Sequence, residues 1–425
     1  MKVYKFGGAS VKDAEGVKNI ASILRNSSDR IFVIISAMGK TTNALERVHE
    51  AFMANRNQQA HERWCEVVDY HNQIIEKLFS ETQQQKAKQA LQFLAEEMEM
   101  IIGQCTERDD FDKFYDKIVS FGELFSTIII SNYLNLDGGV ENHWVDMRKL
   151  LVTDSRFREA GVNFEQTARR LSAEFAMHDS KVIIGQGFIG ANSAGDTTTL
   201  GREGSDYSAA VVASVLGAES VTIWKDVPGI LNADPKYFDN TVKIPVLSYL
   251  EAVELSHSGA QVIHPKTIKP LQNNNIPLYV KPFAHPEEEG SVICAEATGR
   301  IDVPILILKH NQVLISIRPN DLSFVLEDNL SEIFSQMGQY RIKINMIQSS
   351  AVSLTVCVDK SRHLDRLIDQ LSTEYKVAYN SNMKLLTIRG YDQNLFSKYA
   401  DSEDAFLVQR TRRTLRIVMK EQKSH

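Results

Sequence analysis

The first eleven residues do most to limit the folds open to this chain. They read Met-Lys-Val-Tyr-Lys-Phe-Gly-Gly-Ala-Ser-Val, and the β-branched and aromatic residues among them favour a strand. Gly7 and Gly8 permit a tight turn that keeps Cβ atoms away from a ligand, and Ser10 is placed to cap a helix whose apolar stripe runs through residues 17–24. The sequence therefore predicts a strand, a glycine turn and a helix.

This turn has the chemistry of a phosphate site. Backbone amides at a helix N-terminus attract phosphate oxygens. Lys5 lies at the end of the predicted strand, where its ammonium could meet the charge that arises on a transferred phosphoryl group. A glycine pair is also common in ordinary turns, so the rest of the chain has to decide between the two interpretations.

Length, charge and cysteine content exclude several classes of protein. A chain of 425 residues has room for two or three domains. Its 48 basic and 54 acidic residues leave a net charge of -6, so we expect no nucleic-acid or membrane partner. The four cysteines form no C-x-x-C pair, and no apolar run approaches the roughly 18 residues of a membrane span. We expect a soluble cytoplasmic protein with free thiols.

Strand and helix patterns alternate over the first part of the chain. Residues 30–36 are apolar on both faces, as in a strand buried within a parallel sheet, and the order strand, turn, helix recurs further along. Residues from about 44 to 118 lack proline and are rich in helix formers, which predicts helices that serve as a lid or a flank. A break at 282–299, rich in Pro, Glu and Gly, marks a boundary. We therefore predict an α/β sandwich domain over 1–300.

A different organisation follows the break. The pattern over 301–380 is strand, helix, strand, strand, helix, strand, which is the ferredoxin-like unit. Its predicted elements are 312–318, 324–337, 343–349, 352–358, 361–373 and 375–380. A strand at 384–389 begins a second unit over 381–425. Because only two further strand-like pieces remain, this second unit is predicted to be truncated.

Two familiar nucleotide motifs are nearly present. Gly39-Lys40-Thr41 follows a buried strand, but a P-loop needs a glycine where this chain has Ile34. Residues 185–190 fit G-x-G-x-x-G, yet a polar loop follows them instead of a helix. Neither a P-loop nor a nicotinamide fold is favoured. The chain has no Ser/His/Asp arrangement or H-E-x-x-H helix, and its 11 histidines show no ligand spacing, so hydrolase and zinc functions rank low.

Residues 197–208 carry a stronger signal. Two glycines flank Arg202, whose guanidinium could clamp a carboxylate with two parallel hydrogen bonds. Ser205 and Asp206 begin a predicted helix, where Asp206 could order an ammonium or hold Mg²⁺ through water. A helix cap beside a surface arginine would explain the serine and the aspartate, but it leaves the glycines and the threonine run without a purpose.

Two further segments complete the set of candidate site residues. Residues 225–236 follow a hydrophobic strand and hold two Asp, two Lys and a Pro-Gly turn. Ligands bind at the carboxyl ends of strands in open α/β sheets, so this segment favours a nucleotide loop over a plain turn. Glu123 lies at the start of a helix, where the helix dipole favours a carboxylate whether or not it binds a ligand.

Taken together, five motifs resemble those of the aspartokinases of the amino acid kinase family in order and spacing. They are residues 5–11, 120–123, 187–190, 197–206 and 225–235. The resemblance covers roughly residues 1–300, and it implies a three-layer αβα sandwich. The tail resembles the ACT regulatory domains of that family, which implies a C-terminal ferredoxin-like (ACT) region.

The resemblance implies an activity. It is ATP-dependent phosphorylation of the β-carboxylate of L-aspartate to 4-phospho-L-aspartate, the first step toward lysine, threonine and methionine. An aspartate carboxylate is already ionised at neutral pH, so this nucleophile needs no general base. Positioning and charge neutralisation are then the work left to the protein.

The resemblance also assigns roles to individual residues. Lys5 would neutralise the γ-phosphate with help from the amides of Gly7 and Gly8, and Asp206 would orient the basic group. Two further sets follow from the family match: Thr42, Glu123, Arg202 and Ser205 would bind aspartate, and Lys225, Asp226, Leu231 and Lys236 would bind the nucleotide. Arg202 would take the α-carboxylate of aspartate and Glu123 its ammonium. Mg²⁺ would bridge the phosphates, and no side chain is assigned as a direct metal ligand.

Several positions depart from the commonest family pattern. They are Ala9 for Thr, Glu203 for Gly or another small residue, Lys225 for Thr, Leu231 for Tyr, Lys236 for Arg and Gln261 for Lys. Changes at the last three positions bear on nucleotide affinity more than on the type of reaction. We hypothesise that Lys225 supplies the positive charge that is lost at Gln261.

The resemblance leaves partners and alternatives open. ACT units pair edge to edge across subunits, so a homodimer through the ACT region is expected, and lysine or threonine is the expected feedback amino acid. One alternative function is another amino-acid kinase of the glutamate type. The other is a catalytically weak amino-acid sensor that uses the large domain as a scaffold.

Overall fold

A computed structural model describes residues 1–105, 108–260, 263–296, 303–321, 324–325 and 327–421. The chain forms two compact units. The first consists of Met1–Ile230, Lys243–Val253 and Val262–Gly299, and the second of Leu231–Val242, Glu254–Gln261 and Arg300–His425.

The first unit is built on an eight-stranded sheet. In spatial order its strands are β10 (Val246–Ser248), β12 (Ser291–Cys294), β11 (Leu278–Pro282), β7 (Ser220–Lys225), β1 (Lys2–Phe6), β2 (Ile31–Ile35), β4 (Val182–Gln186) and β3 (Asn142–Trp144). The six strands from β11 to β3 are parallel, and β12 runs antiparallel to β11. The carboxyl ends of β1, β2, β4 and β7 therefore meet at one edge of the sheet.

Helices and two short ribbons complete the chain as far as residue 296. The helices are α1 (Ala14–Arg25), α2 (Thr41–Met53), α3 (Asn57–Leu78), α4 (Glu81–Gln104), α5 (Phe111–Val119), α6 (Phe121–Leu136), α7 (Met147–Leu150), α8 (Phe164–Met177), α9 (Gly204–Leu216), α10 (Tyr249–Ser258) and α11 (Pro265–Asn273). The ribbons are β5 (Ile189–Ala191) with β6 (Thr197–Thr199), and β8 (Ile230–Leu231) with β9 (Lys243–Ile244). Every residue of β2 is buried, as its continuous apolar run predicts.

The opening strand, turn and helix form as predicted, but the helix cap differs. Ser10 does not cap α1 but belongs to the glycine turn, where its N–H donates to the carbonyl of Gly7 at 2.9 Å. The helix begins only at Ala14, and Asp13 is its N-cap. The Asp13 carboxylate accepts a hydrogen bond from the N–H of Gly16 at 2.9 Å.

The stretch predicted to be helical, about 44–118, forms most of α2 to α5. Trp64 of α3 is 1% exposed and packs edge-on against two rings of α6, Phe121 at 6.0 Å and Phe125 at 5.5 Å between ring centroids. These helices therefore share one hydrophobic core with the strands of the sheet.

Some elements were not predicted from local sequence patterns. Strand β12 lies within the predicted break at 282–299, and helix α11 forms where no helix was predicted. The ribbon of β5 and β6 forms inside the glycine-rich stretch that we expected to be a loop. Each is short, so tertiary contacts decide its conformation more than local propensity does.

The second unit contains a six-stranded antiparallel sheet. Its strands, in spatial order, are β14 (Ile344–Ser350), β15 (Ser353–Asp359), β13 (Ile305–Pro319), β16 (Tyr375–Arg389), β18 (Thr414–Lys420) and β17 (Ala405–Arg410). Its helices are α12 (Glu327–Gln339), α13 (Leu364–Leu371) and α14 (Gln393–Ala400).

This sheet differs from the predicted division into 301–380 and a truncated 381–425. Strands β13 and β16 are 15 residues long, and their pairing shifts register between Lys309 and Leu314. The second half of β13 pairs with β15 on one side and with residues 375–380 of β16 on the other, and with β14 these form a first group of four strands. Residues 305–309 pair with residues 385–389, which pair with β18, and β18 pairs with β17, so these form a second group of four. The second group thus obtains its fourth strand from a segment that precedes the first group, because one long strand can serve both.

Within the ranges that the structure describes, no helix is both long and apolar enough to cross a lipid bilayer. None of the four cysteines, all of which lie in described parts of the chain, forms a disulfide.

Replacement of Trp64 by Ala should destabilise the protein strongly. The change leaves a cavity beside the two phenylalanine rings of α6, and such losses cost about 3–5 kcal/mol of unfolding free energy. Chemical denaturation followed by circular dichroism measures the effect. Phe93→Ala on α4 is the matched control, since Phe93 is 62% exposed and its loss should cost under about 0.5 kcal/mol. Equal losses in the two variants would contradict the assignment of Trp64 to the core.

Candidate active site

A cavity of about 440 Å³ lies within the first unit, at the edge where the parallel strands end. Five segments supply most of its lining: Lys5 with residues 7–10 after β1, Ser36 to Thr42 after β2, Glu123 of α6, residues 201–206 at the start of α9, and Trp224 to Asp226 at the end of β7. The segments come from widely separated parts of the chain. The parallel sheet brings them together because its strands end side by side.

A buried ion pair forms the centre of the cavity. The Nζ of Lys5 lies 2.6 Å from Oδ1 of Asp206, and the two side chains are 10% and 5% exposed. The Nζ of Lys225 lies 3.9 Å from the other carboxylate oxygen. Burial acts to raise the pKa of Asp206, but the charges of Lys5 and Lys225 outweigh it, so the pKa lies below its ordinary value. Two ammonium groups around one carboxylate give this cluster of three side chains one net positive charge, which suits an anionic ligand beside it.

The glycines of the first turn are required by close packing. A Cβ on Gly8 would lie 2.8 Å from the carbonyl oxygen of Ala37 and 2.9 Å from that of Gly39. The N–H of Gly39 also donates to the carbonyl of Gly8 at 3.0 Å. A Cβ on Gly7 would lie 3.3 Å from the Nζ of Lys5. Any side chain here would push the two loops apart or displace the lysine.

The carboxyl group of Glu123 is suited to bind a cation. The side chain is 3% exposed, and its Oε1 accepts a hydrogen bond from the N–H of Ala37 at 3.3 Å. Its Oε2 is buried and has no hydrogen-bond partner among the described residues. Burial raises the pKa of Glu123 to about 8, although Ala37 and Lys5 act in the opposite direction. An ammonium in the cavity would satisfy the free oxygen and lower this pKa.

Two smaller residues predicted for substrate binding also line the cavity. Thr42 is in the first turn of α2, and Ser205 is in the first turn of α9. Gly187 packs against Ser205 so closely that a Cβ on the glycine would lie 2.5 Å from the serine Cβ. This contact holds the start of α9 against the end of β4.

The structure does not bring every predicted residue to the cavity. Arg202 is exposed and is not part of the lining, although Gly201 and Glu203 on either side of it are. Leu231 and Lys236 belong to the second unit, whereas Lys225 and Asp226 line the cavity in the first. Gln261 lies outside the described residues, so the proposed exchange of charge between Gln261 and Lys225 stays a hypothesis.

Phe188 and Trp224 belong to the cavity lining although no sequence pattern predicted them, and Glu203 was noted only as a departure from the family pattern. Glu203 adopts a left-handed backbone with φ of 54°, which costs a non-glycine residue roughly 1 kcal/mol. Its carboxylate accepts a hydrogen bond from the N–H of His264 at 2.8 Å, at the N-cap of α11. The backbone geometry suits the glycine that the resemblance leads us to expect here, and the hydrogen bond gives the glutamate a structural role.

The cavity has the donor set expected for a metal bound mainly through phosphate. Mg²⁺ is usually held by one or two carboxylates together with phosphate oxygens and water. Asp226 is an exposed carboxylate in the lining, whereas Asp206 is engaged by Lys5. The groups of three metal-ligating side chains found among the described residues lie elsewhere. The residues present therefore fit Mg²⁺ only as an ion that a nucleotide would bring with it.

The model of the amino acid kinase family matches residues 1–282, which is more than half of the chain. The chain belongs to the amino acid kinase family.

Curated relatives within this family are aspartokinases. The lysine-sensitive aspartokinase 3 of Escherichia coli K12 is 29% identical over 400 residues, covering 92% of this chain and 87% of the relative. The chloroplastic aspartokinase 1 of Arabidopsis thaliana is 30% identical over 386 residues, covering 88% of this chain and 66% of the relative. The resemblance to aspartokinases predicted from the five motifs is confirmed.

Solved structures of an aspartokinase from another organism extend the likeness to the tail. E. coli aspartokinase III in complex with aspartate and ADP has a TM-score of 0.79 and 26% identity, and its complex with lysine and aspartate has a TM-score of 0.77. Each alignment covers 99% of this chain and 96% of the other. The predicted fold class, a kinase sandwich with a C-terminal ACT-type region, is confirmed.

The raised pKa of Glu123 predicts a dependence of stability on pH. The folded protein holds a proton at Glu123 up to about pH 8, while the unfolded chain releases it near pH 4.5. Stability is therefore present at low pH and is lost as the pH rises toward 8. Glu123→Gln removes this loss, so its unfolding free energy should exceed that of the wild type by up to about 4 kcal/mol at pH 8 and by little at pH 5.

Urea denaturation of the ligand-free protein at pH 5, 6.5 and 8 measures the difference. The exposed Glu141→Gln is the control and should follow the wild type at each pH. A constant difference between Glu123→Gln and the wild type across this range would show that Glu123 is ionised when buried.

Proposed function

We propose that this chain is an aspartate kinase that transfers the γ-phosphoryl group of ATP to the β-carboxylate of L-aspartate and forms 4-phospho-L-aspartate. The observation that carries the proposal is the buried pair of Lys5 and Asp206, which shares one cavity with Lys225, the glycine turn and Glu123. The relatives named aspartokinases support it, as does the bound aspartate and ADP in the E. coli structure.

The chemistry needs little beyond charge and position. The acceptor is a carboxylate that is ionised at neutral pH, so no side chain has to remove a proton from it. Lys5 is buried at the end of the central strand and neutralises the negative charge of the phosphoryl group during transfer. Asp206 holds the ammonium of Lys5 in one orientation, and Lys225 adds a second positive charge. When bound, Mg²⁺ supplies further charge neutralisation between phosphate oxygens.

The backbone around the phosphoryl group supports the same role. Close contact between the turn at Gly7 and Gly8 and the loop at Ala37 to Gly39 keeps both loops free of side chains near Lys5. Phosphate oxygens can then approach the backbone amides of the turn directly. Lys5 and Asp206 are themselves buried, so their charges count for more than they would in solvent.

Recognition of aspartate rests on groups of opposite charge. The free, buried oxygen of Glu123 receives the substrate ammonium, and Glu123 loses its proton when that cation binds. Thr42 and Ser205 contribute hydroxyl groups from the same lining. Arg202 binds the α-carboxylate when its exposed side chain folds over the rim, next to Gly201 and Glu203.

The second unit is proposed to regulate the enzyme and to join two copies of it. The E. coli relative is named lysine-sensitive, and one of its structures holds lysine, so lysine or threonine is the proposed feedback amino acid. The edge strands β14 and β17 expose apolar side chains, among them Ile347 at 42% and Phe406 at 49%. Pairing of such edges between subunits would cover them, which supports a homodimer. We place the enzyme in the cytoplasm, at the first step toward lysine, threonine and methionine.

A coupled assay of ADP release with L-aspartate, L-glutamate and N-acetylglutamate tests the function. Aspartate should have the highest kcat/KM, as expected from the E. coli relative whose structure holds aspartate and ADP. Lys5→Ala should lower kcat by at least about 100-fold through loss of charge stabilisation. The exposed Lys18→Ala on α1 is the control and should retain activity. Undiminished turnover in Lys5→Ala would rule out both kinase functions, and preference for glutamate would identify the glutamate-type alternative.

Loss of Lys225 should weaken nucleotide binding more than it slows the chemical step. Lys225 is at the carboxyl end of β7, where its ammonium lies near the carboxylate of Asp206. Lys225→Ala therefore removes one charge from the proposed nucleotide loop. An interaction with a charged group of about 1.5 kcal/mol corresponds to roughly a tenfold rise in the KM for ATP. Initial-rate kinetics at saturating aspartate provide the measurement. An unchanged KM would discard the hypothesis that Lys225 compensates for Gln261.

A further inference from the structure

Three metal-ligating side chains meet at a place outside the kinase cavity. His143 is in β3, the last strand at one edge of the main sheet, while Glu174 is in α8 and His178 is the residue that caps the end of α8. None of the three lines the cavity described above. Their side chains are 31%, 26% and 32% exposed, so solvent reaches each of them.

The carboxylate of Glu174 lies between the two imidazole rings. Its Oε1 is 3.4 Å from Nε2 of His143 and 3.3 Å from Nε2 of His178. The two rings are stacked, with centroids 3.6 Å apart and an angle of 22° between their planes, so the rings must turn apart before both Nε2 lone pairs can face one ion. One ligand atom from each residue lies within 4.8 Å of the other two, so three donors converge on one small volume.

These distances fit a shared metal ion better than hydrogen bonds. A hydrogen bond between an imidazolium and a carboxylate is normally roughly 2.7–2.9 Å long. Donors around a tetrahedral zinc ion, with bonds of 2.0–2.2 Å, are separated from one another by about 3.3–3.5 Å. Both distances from Glu174 fall in or close to this range, and the exposure of the cluster leaves room for water as a fourth ligand.

The segments that carry the ligands are held in place by other contacts. Arg30, at the start of β2, donates from Nη2 to the carbonyls of His178 and of Phe175, the latter at 2.7 Å. Its guanidinium also lies 3.6 Å above the ring centroid of Phe175. On the other side, the pairing of β3 with β4 sets His143 opposite Ile183. The backbones that carry the two histidines are therefore held in place, and binding of an ion requires a change only in the partly exposed side chains.

A second cluster in the first unit provides a useful contrast. His61 of α3 has Nδ1 at 2.9 Å from Glu99 of α4, which is an ordinary hydrogen bond, and Nε2 at 3.6 Å from the sulfur of Cys65. The two partners thus sit at different nitrogens of one ring. Burial, with the negative charge of Glu99, raises the pKa of the Cys65 thiol, which disfavours the thiolate that a metal requires. This group is a hydrogen-bonded chain and not a metal site.

We propose that His143, Glu174 and His178 form a binding site for a divalent transition metal of the zinc class. Two imidazole nitrogens and one carboxylate oxygen select Zn²⁺ and its neighbours over Mg²⁺, which prefers oxygen ligands. The ion joins the edge strand of the sheet to the end of α8 and so stabilises the folded first unit. Its fourth position stays open to water.

Metal titration of the full chain tests the site. Protein stripped with a chelator and desalted is titrated with ZnCl₂ by calorimetry, and with Co²⁺, whose visible absorption is strong in tetrahedral coordination. The wild type should bind one equivalent, and its Tm should rise with Zn²⁺. The double variant His143→Gln and His178→Gln should bind at least about 100-fold more weakly and lose the rise in Tm, since even the loss of an outer-shell partner costs 10–100-fold.

The control replaces the second cluster with His61→Gln and Cys65→Ser, and this variant should bind Zn²⁺ as the wild type does. Circular dichroism and the Tm in chelator establish that both double variants are folded. The proposal is overturned if the stripped wild type takes up no Zn²⁺, or if both double variants bind as tightly as the wild type. It is also overturned if only the His61 and Cys65 variant loses binding. Kinase activity with Mg²⁺ and ATP is measured separately, so failure of the metal site leaves the proposed function untouched.

Discussion

The contact between Lys5 and Asp206 is the interaction on which the catalytic unit depends. Removal of two charges from water costs several kcal/mol, and their attraction often repays no more than that cost. An ion pair of this kind is therefore a poor device for stability alone. Here a third charge, Lys225, lies within 3.9 Å and leaves the cluster positive. The arrangement makes sense as a site that becomes fully neutral only when an anionic substrate enters.

The position of β1 makes this contact possible. The strand has β2 on one side and β7 on the other, so the loops that follow all three strands converge beyond its carboxyl end. The chain leaves β1 for β2 on one side and returns to β7 on the other, which is the point where open α/β sheets bind ligands. Gly8 then serves packing as much as phosphate binding, because the carbonyl groups of Ala37 and Gly39 occupy the space of a side chain, whereas at Gly7 that space borders the ammonium of Lys5.

Glu123 and Glu203 show how one residue type acquires different properties from its surroundings. Glu123 is enclosed with one oxygen free, which raises its pKa to about 8 and prepares it for a cation. Glu203 supports an unfavourable backbone conformation through a hydrogen bond to the start of α11. In the second unit, the long strands β13 and β16 each belong to both groups of strands in the sheet. Apolar side chains at the outer strands of that sheet provide a surface for assembly.

The sequence by itself determined the local parts of this protein. The opening strand and glycine turn, the buried β2, the helical character of 44–118, and the charged residues Lys5, Glu123 and Asp206 follow from patterns that span a few residues. Tertiary structure alone decided which distant residues come together. It pairs Lys5 with Asp206, places residues 305–309 in the second group of strands of the C-terminal sheet, and gathers His143, Glu174 and His178. Local patterns report backbone preference and burial, whereas contacts between distant segments depend on how the whole chain packs. The helix cap likewise lies at Asp13 and not at Ser10, because α1 begins only at Ala14 and the Asp13 carboxylate accepts from the N–H of Gly16.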